Sequence, residues 1–278
     1  EEELVGAFQY LLTSVEVQEP EMLSTLISLP GLPELELEHS FIDPISLYES
    51  RMYLTSFFGK KLSHSLISLL IKTRHDCELN WPKGQAARKI KAVSWNWLLA
   101  GGNIEIRNEA LNAVKGNSMT LARAALKALQ PINCQEREMA MEIFYEKWKD
   151  RPVILDTWFS LEASTPREDG LNRVRNLLDH PRFDSMAPNA VRAVLGGFSA
   201  NTKLFHAIDG SGYRFMADQI VDLDKRNPIT ASRIVKVFSR WRSYVKTHRD
   251  AMSYSLVKLS KSDLSVNTRE VIEQILEV

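Results

Sequence analysis

Two arginines and a glycine-rich loop are the residues of this chain best suited to chemistry. The loop is Asp209-Gly210-Ser211-Gly212, with His206 shortly before it and Tyr213 directly after. Two glycines in four residues permit positive φ, or let another stretch of backbone approach closely. Arg192 and Arg233 lie on the helices that enter and leave this region. A guanidinium presents a planar fork of donors that matches a carboxylate. The same residues also have a plain structural use. The loop would then be a turn that satisfies its own backbone, and each arginine one half of an ion pair with Asp209, Asp218 or Asp222. His206 would be a hydrogen-bonded histidine rather than a catalytic one. Arg233, Lys236 and Arg240 fall on one helical face, clear of the neighbouring apolar stripe, which suits a solvated face.

Other chemistries lack their residues. A zinc peptidase site of the H-E-x-x-H type needs two imidazoles one helical turn apart, with a glutamate to activate water. The histidines are His39, His64, His75, His180, His206 and His248; no two stand three or four apart and none precedes a glutamate. His75-Asp76-Cys77 is too cramped for a chelate. No G-x-S-x-G elbow is present. Asp209-Gly210-Ser211-Gly212 lacks the preceding strand and the lysine of a phosphate loop. Cys77 and Cys134 fit no metal spacing and read as free thiols, which places the protein in the cytoplasm.

The charges balance, with 35 basic and 35 acidic residues among 278. No basic excess points to nucleic acid, and no apolar run is long enough to span a membrane. The acidic opening Glu1-Glu2-Glu3-Leu4 is no signal peptide and reads as the interior of a longer polypeptide.

The elements that must position these residues are helices. Val191, Val194, Leu195 and Phe198 fall at i, i+3, i+4 and i+7, and Ile234, Val237, Phe238 and Trp241 repeat that spacing. Between them Phe215, Met216, Ile220 and Leu223 form a looser stripe. Pro188 suits a first helical position, as does Pro228 with Asn227 as its cap. Upstream, Asp43-Pro44 opens a helical stretch over 45–73 with a break at Gly59-Lys60-Lys61, and 74–84 reads as a mobile loop holding Trp81-Pro82. Gly101-Gly102 stops a helix over 86–99. Ala122, Ala125, Leu126 and Leu129 mark another helix, and Met141, Phe144, Tyr145 and Trp148 one more. Thr165-Pro166-Arg167-Glu168 has the form of a capping box. The tally is about fifteen helices of 10–15 residues joined by short turns, with no alternating strand. Helices with one apolar stripe each must stack on neighbours. The expected fold is therefore all-α, an α-solenoid or superhelix of paired antiparallel helices of HEAT or armadillo type, as a single domain over 1–278.

Several short strings carry a family resemblance. F-H-A-I-D-G-S-G-Y at 205–213, R-N-P at 226–228 and A-S-R at 231–233 resemble the C-terminal helical domain of bacterial-type aminopeptidase N, a family of zinc metallopeptidases. Ile42-Asp43-Pro44, Lys147-Trp148, Asp156-Thr157-Trp158-Phe159, Val174-Arg175 and Arg192 in P-N-A-V-R agree in order, most closely from Trp148 to Tyr244.

The resemblance implies a superhelix that closes a chamber over the active site and limits which peptides reach it, while N-terminal residues are released there. It places zinc and its ligands in an upstream catalytic domain, so this chain would hold no cofactor and be inactive alone. The implied partners are that upstream domain and peptide substrates. Arg192 and Arg233 match arginines that face the chamber and meet the C-terminal side of a peptide. The loop from Asp209 through Gly210, Ser211 and Gly212 to Tyr213, with His206, would lie near it. Many relatives carry a further arginine where this chain has Ala190, which implies a less basic chamber here. An apolar surface near the N-terminal half would pack on the catalytic domain. A reading from another class is a stand-alone α-solenoid that binds protein partners on its concave face.

Overall fold

A computed structural model describes residues 1–14, 20–80, 83–167 and 169–277. The described residues form helices and turns, and the one β-like feature is an isolated parallel bridge between Ile42 and Tyr244. The chain divides into two compact units. One comprises 1–32 and 49–147, the other 33–48 and 148–278.

The first unit holds α1 (Glu2–Ser14), α2 (Pro20–Leu26), most of α4 (Pro44–Lys61), α5 (Ser63–Lys72), α6 (Lys83–Ala100), α7 (Ile104–Lys115), α8 (Met119–Leu129) and α9 (Gln135–Trp148) up to Lys147. Local chemistry sets their ends. The Asn103 side chain accepts from the Ile106 amide to start α7, and Ser118 accepts from Leu121 to start α8. Gly102, at φ +91°, closes α6, and the amides of Gly102 and Asn103 return to the carbonyls of Leu99 and Leu98. Rings of Phe8, Phe58 and Trp97 meet at centroid distances of 4.9–5.3 Å in the core.

The helix expected to break at Gly59-Lys60-Lys61 does end at Lys61, but Gly59 is not the cause. A Cβ there would stand 1.8 Å from the Trp97 carbonyl oxygen, so the glycine lets the backbones of α4 and α6 touch. The interruption falls three residues later, at Leu62. The segment expected to be a mobile loop holds a tight helical turn at His75–Glu78, with Cys77 buried. Arg88 Nη1 donates to the carbonyls of Cys77 (2.8 Å) and Leu79 (3.0 Å) and ties this turn to α6. Trp81-Pro82 lies outside the described residues.

The second unit holds α3 (Leu32–Leu37) from Pro33 on, the start of α4, and α10 (Pro152–Ser164), α11 (Gly170–Leu178), α12 (Pro188–Val191), α13 (Gly197–Ser199), α14 (Thr202–Phe205), α15 (Ser211–Asp224), α16 (Pro228–Ile234), α17 (Lys246–Ser260) and α18 (Val266–Glu277). The short α3 buries no residue and so left no stripe to read. Asp43 opens α4 by accepting from the amides of Ile45 and Ser46 and from the Ser46 hydroxyl. Thr165 donates to the Leu161 carbonyl at the end of α10, and Glu168 of the expected capping box lies outside the described residues.

Asp224, 5 % exposed, supports α18 from another helix. Its carboxylate accepts from the Ser265 amide (2.6 Å), the Ser265 hydroxyl (2.7 Å) and the Thr268 hydroxyl. Glu162, also buried, is paired with Arg173. Exposed large apolar side chains occur in both units, among them Leu4, Tyr10 and Met22 in the first and Val153, Ile208 and Val266 in the second.

Candidate functional site

The stretch from Pro188 to Tyr244 lies within the second unit. Its first helix is not regular. α12 and α13 are joined by one π-helical turn over Arg192–Gly196, which widens the backbone where Arg192 begins. Such turns recur at functional sites, because an extra residue re-aims the side chains around it. Val191, Val194, Leu195 and Phe198 are all buried, as their spacing predicts. Gly197 follows the turn, and a Cβ there would come within 2.7 Å of the Ser160 carbonyl in α10.

Arg192 is exposed. Its Nε donates to the Pro188 carbonyl (3.2 Å) and a terminal nitrogen donates to the Asn189 side chain, so the guanidinium rests along its own helix. Arg233 is exposed on the last turn of α16 and makes no hydrogen bond or ion pair among the described residues. The two elements meet, since α16 packs against the π turn. Neither arginine pairs with Asp209, Asp218 or Asp222. Asp222 lies 3.6 Å from Lys225, and Asp209 accepts from the Ser211 amide. Hydrogen bonds from Ser211 hold the Asp209 carboxyl below the usual carboxylate range.

The helix expected over Ile234 to Trp241 tightens into 3₁₀ geometry at Val235–Phe238 and again at Trp241–Ser243. Arg233 and Lys236 are exposed, but Arg240 is not part of a solvated face. A guanidinium nitrogen of Arg240 donates to the Glu36 carbonyl, and another lies 3.7 Å from the Glu36 carboxylate.

The glycine loop is built for close packing. Gly210 adopts φ +70° before the first turn of α15, a conformation that favours glycine. A Cβ on Gly212 would fall 2.3 Å from the Leu204 carbonyl oxygen and 2.4 Å from that of Phe205. Only glycine therefore lets α15 start directly against α14. That contact carries Tyr213, 0 % exposed, to His206, 5 % exposed.

The Tyr213 hydroxyl lies 2.7 Å from His206 Nδ1 and 3.4 Å from His248 Nδ1. It has one proton, so it donates to one ring and accepts from the other. Tyr244 meets His206 edge-on at a centroid distance of 4.9 Å and donates to Glu36 at 3.5 Å. Burial dominates the electrostatics. It pushes the His206 imidazole down to about 3, with the nearby His248 adding to the effect. It also lowers His248, against the pull of Asp43, and raises Glu36, Tyr213 and Tyr244. His206 is thus a neutral, solvent-shielded hydrogen-bonding residue near pH 7. Tyr244 and His248 joined this cluster without any sequence signal, because their separations from His206 follow no helical period.

Among the described residues no three His, Cys, Asp or Glu side chains come together as a metal-binding group. No described helix is long and apolar enough to cross a membrane.

The domain family described as a domain of unknown function (DUF3458_C), ARM repeats, matches residues 1–277. ARM repeats are stacked helices, in agreement with the expected all-α solenoid class. Aminopeptidase N of Escherichia coli (strain K12) is 29% identical over 259 residues, 92% of this chain and 30% of that protein. Aminopeptidase N of Caulobacter vibrioides is 30% identical over 266 residues, 93% of this chain and 30% of that protein. The crystal structure of Legionella pneumophila aminopeptidase A in complex with aspartic acid matches with a TM-score of 0.90 and 28% identity, over 100% of this chain and 34% of that one. The chain spans about a third of the length of each of these proteins. It belongs to the DUF3458_C family of ARM-repeat domains and corresponds to the C-terminal helical domain of aminopeptidase N.

Proposed function

We propose that this chain is the non-catalytic helical part of a zinc aminopeptidase, that it closes a chamber over the active site, and that it limits which peptides enter. Cleavage would take place on an upstream catalytic domain of the same polypeptide, which would hold the zinc. The described residues of this chain offer no donor set that fits the metal. Their contribution would be to enclose, to exclude folded chains by geometry, and to orient the far end of the peptide.

One observation carries the last of these roles. Arg192 and Arg233 stand exposed on two elements that pack together, and no acidic side chain among the described residues neutralises either one. A peptide whose N-terminus sits at the catalytic centre presents its C-terminal carboxylate at a distance, and an exposed guanidinium with no acidic partner suits that group. A charge-assisted hydrogen bond contributes about 1.5–3 kcal/mol, or roughly a tenfold to hundredfold change in binding.

The test uses the full-length protein. Arg192→Ala and Arg233→Ala should raise KM for tetrapeptides by about tenfold and leave KM for aminoacyl chromogenic amides nearly unchanged. Arg192→Lys should recover part of the loss. Equal effects on peptide and amide substrates would remove the reading.

A further inference from the structure

A second set of cations lies in the first unit, where it borders a cavity of about 500 Å³. The groove follows α8 from Met119 to Ala128 and is walled on the other side by α6. Those ten residues span about 14 Å along the helix axis, so the lining runs lengthwise along α8. Its lining is largely apolar, with Val93 and Trp97 from α6 facing Ala124 and Ala128 from α8. Ser28 and Leu29 border it where the chain leaves α2.

The polar part of the lining is one-sided in charge. Arg51, Arg123 and Lys127 border the groove, and no aspartate or glutamate does. In a chain with 35 residues of each sign this is a local excess that the composition does not require. Arg51 is anchored, with its Nε donating to the Pro30 carbonyl at 2.7 Å. Arg123 and Lys127 are exposed and make no ion pair among the described residues. They stand four residues apart on α8, where like charges repel by a few tenths of a kcal/mol. The N-terminal turn of α8, at Met119 and Thr120, adds the positive end of the helix dipole to the same groove.

We propose that this groove binds a small organic carboxylate with an elongated apolar body, held at its charged end by Arg123 and Lys127 and along its length by the Val93, Trp97, Ala124 and Ala128 surface. The volume falls within the range of small-molecule sites, and an apolar cavity with a few convergent polar groups is their usual form. The guanidinium of Arg123 supplies the fork and the ammonium of Lys127 a mobile point charge. The site is independent of Arg192 and Arg233, which lie in the other unit.

The probes are 1-naphthoate, its neutral analogue 1-naphthylmethanol, and inorganic phosphate, titrated calorimetrically into the intact protein. Naphthoate should bind saturably with one site, at least tenfold more tightly than naphthylmethanol and than phosphate. Replacing both cations (Arg123→Gln with Lys127→Gln) should weaken naphthoate by tenfold or more at an unchanged unfolding midpoint, since both side chains are exposed. Ala124→Met keeps the charges, fills the floor, and should weaken it as well. The proposal is overturned if naphthoate does not bind, if the neutral analogue binds equally well, or if phosphate binds as tightly. It is also overturned if either variant leaves naphthoate affinity unchanged.

Discussion

Lowering the pH from 8 to 5 should destabilise the second unit through His206. The imidazole is buried, sits against the Tyr213 hydroxyl at 2.7 Å, and faces the His248 ring at a centroid distance of 6.0 Å. Its folded-state pKa is about 3, against about 6.5 in an unfolded chain. Between those values the unfolded state binds the proton and the folded state does not, so stability rises with pH across that window. The contribution is complete above pH 6.5 and lost progressively down to pH 3. At pH 5 the loss from this one group is about 2 kcal/mol. His248 is shifted in the same direction and adds to it. His206→Gln removes the titrating group while keeping a donor and an acceptor beside Tyr213. The measurement is the denaturation midpoint of both proteins at pH 8 and pH 5, with the pH-induced change compared rather than the absolute stability. The wild type should lose about 2 kcal/mol more than the variant. Equal pH-induced losses, or an NMR titration of the His206 ring with a midpoint near 6.5, would refute the claim that burial keeps it neutral.

Gly212→Ala places a methyl 2.3 Å from one backbone carbonyl oxygen and 2.4 Å from the next, so α15 must move off α14. A loss of about 3 kcal/mol or more is expected in thermal unfolding, and a loss under 1 kcal/mol would show that the contact is not tight. Asp224→Ala removes the acceptor for two hydroxyls and one amide at the start of α18. It should cost about 2–4 kcal/mol, and hydrogen exchange should rise first in residues 266–277. The arginine and groove variants described above complete the set, with peptide KM as the readout for the first pair and naphthoate affinity for the second.

Periodicity made the helices legible, because burying one stripe is a local demand. The i, i+3, i+4, i+7 sets at Val191–Phe198 and Ala122–Leu129 became buried faces. Caps were legible for the same reason, since Asn227 and Asp43 satisfy amides two or three residues away. What stayed hidden depends on distant partners. Gly59 looks like a helix breaker until the Trp97 carbonyl is beside it. Asp224 looks like a surface acid until Ser265 and Thr268 arrive. The π turn at Arg192 has no signature beyond the following glycine pair, and the 3₁₀ turn at Val235–Phe238 imitates an α-helical stripe.

The glycine loop falls between these cases. Its residue types announced a close approach but not what approaches. The answer, the carbonyl ends of α14, makes Gly210 and Gly212 the hinge on which Tyr213 turns inward to His206. Within the strings that carry the family resemblance, Phe205, His206, Gly212 and Tyr213 thus form a buried hub, whereas Arg192 and Arg233 are solvent-facing side chains. Conservative changes in the hub should therefore report as stability, and changes in the two arginines as substrate selectivity. A hub variant that altered peptide KM at unchanged stability would break that division.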